Sequence, residues 1–195
     1  MRIGVLGGSF DPVHNALLSV ARLALEPRGL ARVLFPVAGS QPFKQGRHVA
    51  PAMHRLRMVE LALAGIPDFV ADGRELARTA PSYTIDTLRE LGAEQPGADL
   101  VLIMGSDVAC GFAEWRDPEG VRALAKIAVC QRASGPGLRA SSPERFDAEI
   151  RVPTIDISST EIRARAASGL PLAGWVPASV ADYIVATQLY RSPAG

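Results

Sequence analysis

A chain of 195 residues is long enough for one sizeable core, and its 48% hydrophobic and 21% charged residues are ordinary for a soluble protein. A net charge of +1 gives no support for a nucleic-acid partner, and no apolar run approaches the ~18 residues that span a bilayer. The only cysteines, Cys110 and Cys130, lack a CxxC spacing, which argues against a disulfide scaffold or a zinc site and makes a reducing cytoplasm the expected setting.

The apolar run Ile3–Leu6 predicts a strand that starts too early to leave room for a signal peptide. The turn Gly7-Gly8-Ser9-Phe10-Asp11-Pro12-Val13-His14 follows it, and Asn15–Leu25 has helix spacing. A strand that runs into a glycine turn and returns as a helix aims backbone N–H groups and a positive helix end at one spot. Phosphate is the natural occupant. Gly7 and Gly8 lack a Cβ and let the backbone approach a ligand. Gly4, Gly7 and Gly8 do not form GxGxxG, so the dehydrogenase dinucleotide fingerprint is absent. On the helix, Leu17, Val20, Ala21 and Ala24 read as one apolar stripe.

Further strands are predicted at Arg32–Pro36, Asp68–Ala71, Leu100–Met104, Lys126–Cys130 and Ile150–Pro153. Helices are predicted at Met53–Ala64, Ile85–Leu91, Val121–Ala125, Thr160–Ala167 and Ala178–Leu189. This alternation argues an α/β, Rossmann-like, doubly wound parallel sheet with helices on both faces. Such sheets bind ligands beyond the carboxyl ends of their strands. The Gly7 turn, Pro36–Lys44 and Gly105–Asp107 each follow a strand and should converge on one crevice. One domain, 1–195, is expected, with 157–190 as a helical C-terminal subregion on the sheet edge. Val37–Val49 and Ala133–Asp147 look irregular, and the second is the better candidate for a mobile loop.

Ser158-Ser159-Thr160-Glu161-Ile162-Arg163 contains a capping box, Ser158 to Glu161, at a helix start. The same helix start, its hydroxyls and Arg163 suit the outer phosphates of a triphosphate. Trp115 sits among Glu114, Arg116 and Asp117, which favours partial exposure and stacking. Lys44 reads either as a phosphate contact or as a solvated loop lysine, and His54 reads as helix surface.

Gly-Gly-Ser-Phe-Asp-Pro-Val-His-Asn resembles the opening signature of the HxGH nucleotidyltransferases, and within them the bacterial nicotinate-mononucleotide adenylyltransferases. Ile157–Arg163 resembles their ISSTxIR motif, and Ser82–Leu88 resembles their SYTxDTL segment. Gly105-Ser106-Asp107 looks like their GxD, Phe112 and Trp115-Arg116 like their aromatic segment, and Pro42-Phe43-Lys44 like their Pro-His-Lys. The resemblance runs from Gly7 to Tyr190. It implies adenylyl transfer from ATP, with Mg²⁺, to nicotinate mononucleotide in NAD biosynthesis, giving deamido-NAD and pyrophosphate. It implies His14 as the catalytic donor to the α-phosphate. Gly7, Gly8, Ser9, Phe10, Lys44, Gly105, Asp107, Arg132, Ser158, Ser159, Thr160 and Arg163 would bind the nucleotide. Tyr83, Thr84 and Trp115 would hold the mononucleotide. No protein-held metal is expected, and the oligomeric state is left open.

The chain departs from the pattern at Ala16 and Leu17, where the family has Gly and a second His, and at Phe43, where it has His. Loss of one preorganised donor slows such chemistry ~100- to 1000-fold. Impaired catalysis, a nucleotide-binding homologue with a regulatory role, and transfer to another phosphate acceptor therefore stand beside the main reading.

Overall fold

The computed structural model describes all residues except 26–28, 40–48, 80, 133–145, 154 and 192–195, with Arg132 described by its backbone alone. Lys44, Phe43 and most of both irregular stretches thus lie outside the described residues. The strands are β1 (Arg2–Val5), β2 (Arg32–Pro36), β3 (Phe69–Asp72), β4 (Asp99–Gly105), β5 (Ala125–Arg132) and β6 (Ala148–Val152). They form one sheet in the order β3-β2-β1-β4-β5-β6, and every neighbouring pair is parallel. The described helices are α1 (Asn15–Leu25), α2 (Ala52–Leu63), α3 (Thr84–Glu94), α4 (Ser106–Ala109), α5 (Pro118–Leu124), α6 (Ser159–Ala167) and α7 (Ala178–Ala186).

Both faces of the sheet are covered, as the continuous apolar strands require. Successive residues of β4 point to opposite sides. Val101 and Ile103 join Val33 and Phe35 in one layer under α1, α2, α6 and α7. Leu100, Leu102 and Met104 join Ile3, Val5 and Ile127 in the other, under α3 and α5. The C-terminal helices contribute Ile162, Ala166, Val180 and Ile184 to the first of these layers. The fully buried seam of α1 is Leu18, Ala21 and Ala24, with Leu17 and Val20 only partly buried beside it.

Most element ends agree with the sequence reading to within a residue or two. Helix α5 begins early, at Pro118, because the Asp117 side chain accepts the Gly120 N–H at 3.0 Å as an N-cap. It ends at Leu124 because Ala125 already pairs with Leu100. Helix α7 stops at Ala186 and not Leu189, because Gln188 (φ 53°) and Tyr190 (φ 68°) are left-handed. That turn sends Tyr190 back towards the sheet.

Chain connections leave β1 towards β2 and β4 towards β5, so the sheet order reverses between β1 and β4. Sheets of this kind bind ligands at the carboxyl ends beside such a reversal. Phe35 is fully buried on this side, with its ring 5.9 Å from Phe10 and 5.4 Å from Phe69. Phe35→Ala should cost about 3–5 kcal/mol of stability, read as a lowered urea midpoint with an unchanged slope.

Candidate active site

The turn after β1 is tied to the end of β2. The Gly8 N–H donates to the Pro36 carbonyl at 3.2 Å, and the Ala38 N–H donates to the Gly8 carbonyl at 2.9 Å. Gly7 is exposed, and a Cβ placed there would meet nothing within 4 Å. It therefore faces open space that a ligand can fill. Phe10 anchors the turn: its ring is buried against Phe35, while its backbone is left-handed at φ 49°. A non-glycine residue keeps that conformation only when its surroundings hold it.

His14 precedes α1 and is 8% exposed, and its Nδ1 has no partner among the described residues. Burial pushes its pKa down to about 4, so the imidazole is neutral at pH 7. One helical turn on, Leu17 is half-buried against the core layer and offers no donor.

The two end motifs meet. The Ser159 hydroxyl donates to the Pro12 carbonyl at 3.0 Å, and Arg163 Nη1 donates to the Asp11 carbonyl at 2.8 Å. Arg163 Nη2 also reaches Thr160 Oγ1 at 3.2 Å. Ser158 caps α6 by accepting the Glu161 N–H at 3.2 Å. The N-terminal turn of α6 is thus fastened to the backbone just ahead of His14. Asn15 closes the other side, donating from its N–H to the Trp175 carbonyl and from Nδ2 to the Gly174 carbonyl.

Gly105 ends β4, which neighbours β1, and Asp107 is exposed in the first turn of α4. A Cβ on Gly105 would stand 2.5 Å from Asp107 Oδ1, so glycine leaves that carboxylate its place. Tyr83 and Thr84 start α3, whose N-terminus has no side-chain cap. Trp115 is half-buried with its ring 5.2 Å from Phe112, and the Arg116 guanidinium lies 4.5 Å from the Tyr83 ring centre. Beside Tyr83 and Arg116 opens a groove of about 700 Å³, which no residue of the Gly7–His14 turn lines. Arg132 Cα pairs with Val152 at the end of β5. Among the described residues no group of three His, Cys, Asp or Glu side chains could cage a metal ion.

Sequence reasoning gave no role to three residues that meet at the turn: Asp11 within it, and Arg55 and Tyr190 beneath it. A signal existed for Arg55, which falls at helix spacing with the buried Met58, Val59 and Ala62. An arginine on the apolar face of a helix must find polar partners there. For Tyr190 no sequence signal exists. His54, read as surface, is half-buried with Nδ1 2.8 Å from the Tyr183 hydroxyl.

The depressed pKa of His14 has a measurable consequence. Between pH 6.5 and about 4 the unfolded state binds this proton and the folded state does not. Stability should therefore fall as pH falls through that window, by about 3 kcal/mol for this group. Urea denaturation at several pH values should show that component in the wild type and not in His14→Gln.

The sequence profile of the cytidylyltransferase-like family matches residues 5–165. A Herpetosiphon aurantiacus protein named "Probable nicotinate-nucleotide adenylyltransferase" is 39% identical over 195 residues, covering 97% of this chain and 98% of its own length. A Roseiflexus protein of the same name is 41% identical over 198 residues, covering 97% and 98%. Among solved structures, Plasmodium falciparum nicotinic acid mononucleotide adenylyltransferase complexed with NaAD superposes with a TM-score of 0.78. It is 18% identical and covered to 97% on both chains, a likeness that concerns the fold. The profile match spans most of the chain and the bacterial relatives are matched end to end, so this chain belongs to the cytidylyltransferase-like family and, within it, to the nicotinate-nucleotide adenylyltransferases.

Proposed function

We propose that this chain transfers the adenylyl group of ATP to nicotinate mononucleotide, giving deamido-NAD and pyrophosphate in NAD biosynthesis. The observation that carries the reading is the fastening of the Ser158–Arg163 helix start to the Gly7–His14 turn. Two anion-binding elements from opposite ends of the chain form one cradle. The relatives' names support the acceptor.

The 5′-phosphate of the mononucleotide attacks the α-phosphorus, and pyrophosphate leaves on the opposite side. No protein nucleophile is required, so the protein's work is positioning and charge stabilisation. The open edge at Gly7 admits the triphosphate, with Ser9 and Phe10 beside it. His14 donates to the α-phosphate, and the growing negative charge favours the imidazole's proton. The α6 start, with Ser158, Ser159, Thr160 and Arg163, holds the β- and γ-phosphates. Lys44 and Arg132 add positive charge, and Gly105 and Asp107 border the nucleotide. Tyr83, Thr84 and Trp115 hold the mononucleotide, with Trp115 as the stacking surface. Mg²⁺ brought in with ATP would offset phosphate charge during the transfer. The reading carries a cytoplasmic setting with it, where both cysteines would stay free thiols; no described helix is long and apolar enough to cross a membrane.

Leu17 favours weak turnover, because one imidazole acts where the family uses two. Pyrophosphate release with Mg·ATP and nicotinate mononucleotide should be slow in the wild type. It should rise ~100-fold or more in the Ala16→Gly, Leu17→His double variant, on the scale of one oxyanion donor. Fast wild-type turnover would assign the missing role to another residue. ATP binding without turnover in either protein would move the chain to a nucleotide-binding regulatory role. Turnover only with a different phosphate acceptor would reassign the substrate.

A further inference from the structure

Beneath the Gly7–His14 turn lies a buried polar cluster that takes no part in the reaction itself. Arg55 on α2 is 1% exposed. Its Nη1 donates to the Ser9 carbonyl at 2.7 Å and to the Ala38 carbonyl at 2.7 Å, and its Nε donates to the Ala50 carbonyl at 3.3 Å. Asp11 is 4% exposed. Its Oδ2 accepts the Val49 N–H at 2.8 Å, and its Oδ1 accepts the Ala50 N–H at 3.2 Å and the Tyr190 hydroxyl at 2.8 Å. Asp11 and Arg55 thus grip the two sides of the Ala50 residue; Asp11 does so from within the turn, and Arg55 also holds the turn through the Ser9 carbonyl. Tyr190 reaches them from 179 residues further on.

The cluster is balanced in charge. Burial lowers the Arg55 pKa, and the Asp11 carboxylate opposes that effect. Burial, and then the same carboxylate, keep the Tyr190 hydroxyl protonated, so it stays a donor.

What the cluster holds is a direction. The peptide unit is planar, so a carbonyl held on one side fixes the next N–H on the other. Arg55 holds the Ser9 carbonyl and therefore aims the Phe10 N–H, which meets no acceptor among the described residues. Phe10 is also the left-handed residue of the turn, the position most in need of outside support. Successive amides around a left-handed residue form an anion-binding concavity.

We propose that Asp11, Arg55 and Tyr190 form a positioning clamp that aims the Phe10 amide at the phosphates of ATP, with Tyr190 as its remote latch. The clamp rests on the adenylyl-transfer reading and adds that the C-terminal end of the chain tunes ATP and not the mononucleotide. None of the three side chains touches the reacting atoms; each acts through the backbone of the turn.

The test is calorimetric titration of the full chain with Mg·ATP alone and with nicotinate mononucleotide alone, on wild type, Tyr190→Phe and Arg55→Lys, with melting curves for each. Tyr190→Phe removes one oxygen. It should weaken Mg·ATP binding about tenfold, the scale of a hydrogen bond to a charged group. Mononucleotide affinity should stay within about twofold. Arg55→Lys keeps the charge but loses the forked geometry, and it should weaken Mg·ATP at least as much with the same split. If Tyr190→Phe does not fold, Arg55→Lys reads that split by itself. Unchanged ATP affinity overturns the clamp, and so does equal weakening of both ligands. A wild type that binds neither ligand sinks the adenylyl-transfer reading and the clamp together. A wild type that binds ATP while the variants bind it equally well sinks the clamp alone.

Discussion

The hydrogen bond from Arg163 Nη1 to the Asp11 carbonyl, with its neighbour from Ser159 to Pro12, is the joint on which the candidate site depends. Helix starts such as those of α1 and α6 leave backbone N–H groups that suit an anion. Neither can surround a triphosphate. The Pro12 and Asp11 carbonyls join them, and the joint uses acceptors that a bound phosphate would not need. The β1 turn meets α6 because both elements belong to the same apolar layer: Phe10, Leu18, Ile162 and Ala166 share it. Packing brings the two elements together, and the hydrogen bonds set how they meet.

Burial then sets the chemistry of the site. His14 is held neutral, ready to donate an N–H or to gain a proton as phosphate charge arrives. Asp11, three residues before it, and Arg55 on α2 are buried too, but each is hydrogen-bonded to several backbone groups, and the Asp11 carboxylate favours the charge on Arg55. A buried ionic group is tolerated when it is paired and hydrogen-bonded throughout. The buried Nδ1 of His14 has no partner among the described residues. Leu17, by contrast, has settled against the core, so its position contributes packing in place of a donor.

The fold was readable from alternating apolar runs, because a parallel sheet buries both faces and leaves little room for other patterns. Errors fell where a local device overrode periodicity: the Asp117 cap moved the start of α5, and two left-handed residues cut α7 short. Gly7 to His14 and Ser158 to Arg163 could be singled out because glycines, hydroxyls and a capping pattern have local meaning. The joining of those motifs, the stacking of Arg116 over the Tyr83 ring, and the Arg55 contacts could not, since each links residues far apart in the chain.

By itself, the sequence determined the strand–turn–helix unit at His14, the capped helix start at Ser158, the order of strands and helices, and the absence of a second histidine at Leu17. These are properties of neighbouring residues, and short-range sterics and hydrogen bonding decide them. The tertiary structure alone decided that His14 is buried and neutral, that α6 and α7 share a core layer with α1, and that Tyr190 reaches Asp11. Burial and long-range contact are set by how whole layers pack, and no local pattern encodes the partner across a gap of 179 residues.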